Sequence, residues 1–254
     1  MKHLLLFIGG LFFFAACTGE KSASEEQKSI QIAVAANMQF AMDSIAILFE
    51  NEHGTGCEVS ANSSGMLTAQ IEKGAPFDVF VSANMRYPKK LVESGFGELP
   101  EVYAYGRLAV VYKKGKTYNS VEEVLASDKV KRIAIADAKT APYGMAAKEY
   151  LKNSELFEEY KDKIVYGESI GQVNQYLTTG AVDAAFTSYS FIAKFGDKYN
   201  FLEADSDYFS TIEQGVLILK NGKEKHPEES RKFVEFLKSD ACKDVLTHFG
   251  YRIK

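Results

Sequence analysis

Five short segments carry hydroxyl, amide or small residues in an arrangement suited to holding an anion. They are Ala35-Ala36-Asn37, Asn62-Ser63-Ser64-Gly65, Ala141-Pro142-Tyr143-Gly144, Glu168-Ser169-Ile170-Gly171 and Thr187-Ser188-Tyr189. Each stands where an apolar strand pattern gives way to a helical one. The first N–H groups of a helix have no intrahelical partner and present partial positive charge to whatever lies in front of them. None of the segments contains Lys or Arg, and the nearest cation, Lys139, precedes its turn. The donors are therefore N–H, hydroxyl and amide groups, with Glu168 the one acidic residue among them. A donor-only site suits a fully deprotonated tetrahedral dianion, because an ion such as hydrogen phosphate needs an acceptor for its own proton. About six charged hydrogen bonds at roughly 1.5–3 kcal/mol each give gross attraction of order 10 kcal/mol. Desolvation and ordering remove part of that, and micromolar binding needs about 8 kcal/mol.

Taken singly, these residues have plainer readings. Ser64 and Asn37 are good helix caps, Tyr143 is a packed aromatic and Ile170 is a core residue. The case for a site is the five turns in order. A nucleophilic Ser63 or Ser64 is the enzymatic alternative, but the turn lacks the G-x-S-x-G elbow, and His53, His226 and His248 lie away from the junctions. Ferric-ion capture would call for adjacent tyrosines, and the chain has no Tyr-Tyr pair. No metal-ligand spacing is present, so no metal cation and no cofactor are expected.

The elements that must position these turns read as alternating strands and helices. Residues 30–35 alternate as a strand, and the helical pattern at 38–51 puts Met38, Ala41, Ile45, Leu48 and Phe49 on one face. Residues 60–83 read as strand, Ser-Ser-Gly turn, helix, Gly-Ala-Pro break and buried strand. Continuous apolar runs at 78–82 and 108–112 suit strands covered on both faces. Ser120 and Glu123 form a capping box for 121–126. Strands at 132–136, 164–166 and 184–187 are followed by helical patterns at 144–152, 172–179 and 189–195. A strand at 214–219 precedes a helix from Pro227 to Lys238, and Asp240 is placed to cap a last helix ending near Gly250. The alternation predicts an α/β fold with mostly parallel sheets, whose ligand sites lie at the carboxyl ends of the strands.

The N-terminus MKHLLLFIGGLFFFAAC has a basic start, an apolar run and small residues before Cys17. Residues 1–16 read as a secretory signal too short to span a membrane. Cys17 resembles the lipidated cysteine of bacterial lipoproteins, which implies a membrane anchor and an exported protein. Residues 17–29 are polar, rich in Ser, Glu and Lys, and read as a flexible tether. Removing 1–16 takes away Lys2 and moves the formal charge from −4 to −5, an acidic balance that argues against a nucleic-acid partner. Cys57 and Cys242 remain, free or paired. No Pro-rich linker divides the rest, so two lobes would be joined by crossing strands near 106–108 and 213–216. Residues 30–106 plus 215–254 form lobe 1 on this reading, and 107–214 form lobe 2.

AANMQFAMDSI, NSSGMLTAQIEKGAPFDVFVSAN, TAPYGMAAKEYL, GESIGQVNQYL and the terminal FGYRIK resemble the periplasmic molybdate-binding proteins that feed ABC transporters. The resemblance runs from Ile30 to Lys254. It implies a two-lobed periplasmic-binding-protein fold of type II character, closing on dehydrated molybdate or tungstate and partnered by transporter membrane subunits. It also implies a monomer without enzymatic activity, carrying molybdenum as an oxyanion. By this resemblance Ser64 is a hydroxyl donor, Tyr143 and Ile170 donate backbone N–H groups, and Asn37 stands where the family often has Ser. At the fifth position, where many members supply Tyr, Ser188 aligns and Tyr189 follows. Ala36, Ser63, Gly65 and Tyr189 are secondary candidates. The nearer alternative is a binder of another tetrahedral oxyanion, sulfate or phosphate.

Overall fold

The computed structural model describes residues 29–253. The signal segment 1–16, Cys17, the tether up to residue 28 and Lys254 lie outside the described residues.

The strands are β1 (Ser29–Ala35), β2 (Gly56–Asn62), β3 (Val79–Ser82), β4 (Glu101–Tyr105), β5 (Leu108–Lys113), β6 (Ile133–Ala136), β7 (Ile164–Gly167), β8 (Ala184–Ser188), β9 (Tyr199–Glu203), β10 (Glu213–Ile218) and β11 (Arg252–Ile253). The helices are α1 (Gln39–His53), α2 (Ser64–Glu72), α3 (Arg86–Glu93), α4 (Val121–Ala126), α5 (Pro142–Asn153), α6 (Phe157–Tyr160), α7 (Ile170–Thr179), α8 (Ser190–Phe195), α9 (Lys220–Lys225), α10 (Pro227–Phe236) and α11 (Asp240–His248). A 3-10 turn, Ala36–Met38, leads into α1. They form two lobes around a six-stranded sheet, β11-β4-β10-β3-β1-β2, and a five-stranded sheet, β7-β6-β8-β5-β9.

Pairing is mixed where the alternation of elements predicts mostly parallel strands. The βα units pair in parallel, β1 with β2 and β3, and β6 with β7 and β8. The strands nearest the crossings, β4, β10 and β11 in one sheet and β5 and β9 in the other, pair antiparallel. A strand that follows a short crossing re-enters its sheet without a helical return, and antiparallel pairing needs none.

Period-two alternation sends β1 and β3 to two cores. Ile30, Ile32, Val34, Val79 and Val81 join α1, α10 and α11 in one, where the Phe49 and Phe233 rings meet edge to face at 5.2 Å. Ala33 and Phe80 join Leu67 of α2 and Leu91 of α3 in the other. Both faces of the sheet are covered, as the continuous apolar runs require. The other lobe has its own core, including Val110, Ile135, Leu151, Val173 and Phe186.

Ser120 accepts from Glu123 N–H at 3.2 Å and Ser169 from Gln172 N–H at 3.3 Å, closing the starts of α4 and α7. The last helix differs from expectation. Ser239 is its cap, accepting from Cys242 N–H, while Asp240 sits inside the first turn and pairs with Lys243. The chain leaves the first sheet after Tyr105 and enters the second at Leu108; its return occupies 204–212, and β10 opens at Glu213. Cys57 and Cys242 are free thiols, pushed by burial to about 12 and about 11 respectively. Both therefore stay protonated at neutral pH and are poor nucleophiles.

Candidate functional site

The carboxyl ends of the parallel strands of both sheets open into helices at the five donor turns. Ala35 of β1 leads to the 3-10 turn, Asn62 of β2 to α2, Ala136 of β6 through 137–141 to α5, Gly167 of β7 to α7, and Ser188 of β8 to α8. The lobes meet there. Gly65 N–H donates to Thr140 O at 2.8 Å and the Tyr87 hydroxyl to Lys139 O at 2.9 Å. A Cβ at Gly171 would stand 3.7 Å from Ala36 Cβ, so α7 starts against the first turn of the other lobe.

The serine turn is built to donate. Ser63 is the residue before α2 in extended conformation, yet its hydroxyl makes no capping bond. That oxygen is buried with no hydrogen-bond partner. A buried hydroxyl left unpaired costs about 1–3 kcal/mol, so a ligand that accepts its proton recovers that cost. Ser64 is fully buried and does not cap the helix either. Its oxygen accepts the Ala83 N–H at 3.0 Å, which orients the side chain and leaves its proton to give. Gly65 contributes differently, because its N–H is taken by Thr140.

From the other lobe come backbone donors. In α5 the first intrahelical bond from this end is Met145 N–H to Ala141 O, and Pro142 has no N–H, so Tyr143 and Gly144 hold the N–H groups that helix geometry leaves open. In α7 Ser169 takes Gln172 N–H and Val173 N–H, leaving Ile170 and Gly171 in the same position. The Ile170 side chain is core and the Tyr143 ring is fully buried, so what either residue could offer a ligand is its main chain. A Cβ at Gly106 would overlap the Tyr143 hydroxyl and approach Gln214 Nε2 to 2.8 Å, so only glycine fits where the chain crosses. Burial raises the Tyr143 hydroxyl well above its ordinary value.

Asn37 and Ser188 enter a different arrangement. Asn37 Nδ2 donates to Gln214 Oε1 at 2.9 Å and to the Tyr251 hydroxyl at 3.0 Å, using both amide protons. Its carbonyl oxygen accepts the Tyr251 hydroxyl at 2.8 Å and the Ser190 hydroxyl at 2.7 Å. Ser188 and Ser190 oxygens are 2.7 Å apart; since Ser190 gives its proton to Asn37, Ser188 donates to Ser190. Gln214 Nε2 closes the network on Ala83 O and Ile212 O, each at 3.3 Å. Of these bonds, Ser190 Oγ to Asn37 O runs from one lobe to the other, and the Asn37 amide is held within its own lobe. What the first turn has left for an anion is main-chain N–H of Ala36 and Asn37, at the start of the helical run. Tyr189 also turns to the hinge: its N–H donates to Arg107 O at 3.1 Å, and Arg107 stacks on its ring at 3.9 Å.

Sequence reasoning passed over Gln214, Ser190, Tyr251 and Tyr87. An amide side chain opening the apolar run at 214–219 was the available signal for Gln214. Tyr87 carried none, being one aromatic on an ordinary amphipathic helix.

The arginines beside the hinge are paired with a carboxylate. Arg107 and Arg252 both bind Glu203, at 2.8 Å and 3.0 Å, beside a cleft of about 360 Å3 at the hinge. Those guanidinium groups hold the Glu203 carboxyl below its ordinary range. His226 bonds Asp78 at 3.0 Å, His53 packs on Phe49 and Phe236, and His248 on Phe249. Among the described residues, then, no imidazole stands beside Ser63 or Ser64 to act as a base, and no cluster of three or more His, Cys, Asp or Glu gathers to hold a metal ion.

Two lobes closing on helix N-termini form a solute trap, and the profile of the bacterial extracellular solute-binding proteins matches residues 30–252. The chain belongs to that family. Among solute-binding proteins, it is 32% identical over 240 residues to the molybdate-binding protein ModA of Azotobacter vinelandii, covering 93% of this chain and 94% of the relative. It is 33% identical over 222 residues to ModA of Rhodobacter capsulatus, covering 86% of each. The solved periplasmic molybdate-binding protein of Azotobacter vinelandii superposes with a TM-score of 0.83 at 27% identity, over 89% of this chain and 99% of that one. This solute-binding protein therefore shares the two-lobed architecture along nearly the full length of its relatives.

Proposed function

We propose that this chain captures molybdate, and tungstate in the same place, outside the cytoplasm and delivers it to the membrane subunits of an ABC transporter. The observation that carries the reading is the buried, unpartnered Ser63 hydroxyl beside the free Ser64 proton, at a cleft whose remaining donors are main-chain N–H groups. Donors without a facing carboxylate favour a dianion over a protonated oxyanion. The names of the two ModA relatives support molybdate as that dianion. Ser63, Ser64, Tyr143, Ile170 and the Ala36-Asn37 main chain form the first ring of donors; the Asn37 and Ser188 side chains are engaged by Gln214, Tyr251 and Ser190 instead. Binding requires no covalent step, and the protein acts as a carrier rather than an enzyme, as a monomer without a cofactor.

Selection against sulfate follows from size, since charge and shape are alike and sulfate is smaller. Calorimetry on protein lacking residues 1–17 is expected to show tight binding of molybdate and tungstate with sulfate and phosphate weak. Equal affinity for sulfate would reject molybdate as the ligand and leave a general oxyanion binder.

Cys17, behind its signal segment, is the site of lipidation on this proposal. Among the described residues no helix is long and apolar enough to cross a membrane, so attachment would depend on that thiol. Cys17→Ser is expected to move the protein from the membrane to the soluble fraction on cell fractionation. Undiminished membrane association would place the anchor elsewhere.

A further inference from the structure

We infer that Tyr87 and Gly65 form a latch across the mouth of the cleft that sets how long the closed form lasts, without touching the solute. The inference rests on the solute-binding reading for its meaning but on two contacts for its substance. The Tyr87 hydroxyl donates to Lys139 O at 2.9 Å, and Gly65 N–H donates to Thr140 O at 2.8 Å. Both donors belong to one lobe and both acceptors to the other.

Each side of the latch is stiff. Tyr87 packs with Leu67, Ile71 and Leu91 in the core shared by α2 and α3, so the two donors move together. The acceptor turn is pinned by Asp137. Its side chain takes Lys139 N–H at 2.9 Å, its carbonyl takes Thr140 and Ala141 N–H, and its own N–H is bonded to Gly167 O. The turn runs directly into α5, so seating it brings Tyr143 N–H towards the serine turn. Neither latch bond uses Ser63, Ser64, Ile170 or Tyr143. The latch therefore changes the fraction of molecules in the closed state, and the apparent dissociation constant scales inversely with that fraction. It does not change which oxyanion is preferred.

Gly65 is required by close approach. A Cβ there would stand 2.9 Å from both the Cα and the O of Thr140, and 2.8 Å from the Tyr87 hydroxyl. Backbone cannot yield as a flexible side chain does, so Ala at this position props the lobes apart. Within its own lobe the change meets the Tyr87 hydroxyl alone, the far end of a side chain that can shift, and Ala is the better helix former.

Two variants test the latch. For Gly65→Ala, small-angle scattering of the ligand-free protein is expected to show a larger radius of gyration than native, with the thermal midpoint kept or raised. Molybdate dissociation, followed by tyrosine fluorescence in this chain without Trp, is expected to accelerate at least about tenfold. Tyr87→Phe keeps the packed ring and loses only the hydroxyl; its dissociation is expected to accelerate about three- to tenfold. Both variants should preserve the native ranking of molybdate, tungstate and sulfate. Off-rates within about twofold of native in both variants, or an altered ranking, would overturn the latch. If native protein binds no molybdate, the ligand assignment fails instead, and scattering alone decides: a Gly65→Ala profile superimposing on native overturns the latch.

Discussion

Ser64→Asp is expected to abolish oxyanion binding while the ligand-free protein keeps its fold. The serine is fully buried, and its oxygen already serves as acceptor for Ala83 N–H. A carboxylate can take over that role. It also stands in the first turn of α2, where a negative charge is favoured by the open N–H groups. Local structure therefore tolerates the change. The ligand does not, because a fixed negative charge occupies the place where a dianion has to sit. Two unit charges about 4 Å apart repel by about 4 kcal/mol at an effective dielectric of 20, and a dianion doubles that. The total, about 8 kcal/mol, equals the whole free energy of micromolar binding. Calorimetry with molybdate should give no heat of binding, with circular dichroism and the ligand-free thermal midpoint near native. Retained affinity would place the site away from the serine turn.

The largest expected loss of stability comes from Asp78→Ala, remote from the cleft. Asp78 is fully buried at the start of β3. Its carboxylate accepts Gln31 N–H at 2.8 Å, Asn221 Nδ2 at 2.6 Å and His226 Nδ1 at 3.0 Å. One side chain thus ties β1 and β3 to the α9–α10 corner. Truncation takes the acceptor from the Gln31 N–H and from His226, and leaves Asn221 Nδ2 with the Pro76 carbonyl at 3.2 Å. Breaking a buried, charged network costs about 3–5 kcal/mol. For a chain of this size that is a fall of roughly 10 °C in thermal midpoint. Urea unfolding should show the midpoint move with little change in slope. Molybdate affinity, measured well below the new midpoint, should stay near native, since no donor of the cleft touches Asp78. A stability loss under about 1 kcal/mol would mean that His226 and Asn221 do not need this partner.

These two residues also show how unequally the chain discloses itself. Asp78 opens the apolar run at 78–82 and reads as a strand boundary; that it is an anchor depends on Asn221 and His226, more than 140 positions away. The serine turn was legible as a helix start facing a strand end, because helix starts and strand alternation are written in neighbouring residues. The division of labour within it was not. Ser64 loses its capping role to an acceptor role for Ala83, Ser63 is left unpartnered, and Gly65 gives its N–H to Thr140. Each of these is settled by where another segment happens to lie. Asn37 makes the same point more strongly, its amide protons going to Gln214 and Tyr251 at the hinge.

Residue order alone established the alternating strands and helices, the five donor turns at their junctions and the absence of Lys or Arg within them. Such features need only local periodicity and the open N–H groups at any helix start. Packing of the two lobes assigned the protons: which hydroxyls remain free for an anion, which amides are engaged elsewhere, and which carbonyls receive the latch. The physical reason is that a hydrogen is given to one partner at a time, and the partners that settle Ser64 and Asn37 lie 19 to 214 residues away in the chain, brought together only by the closed fold.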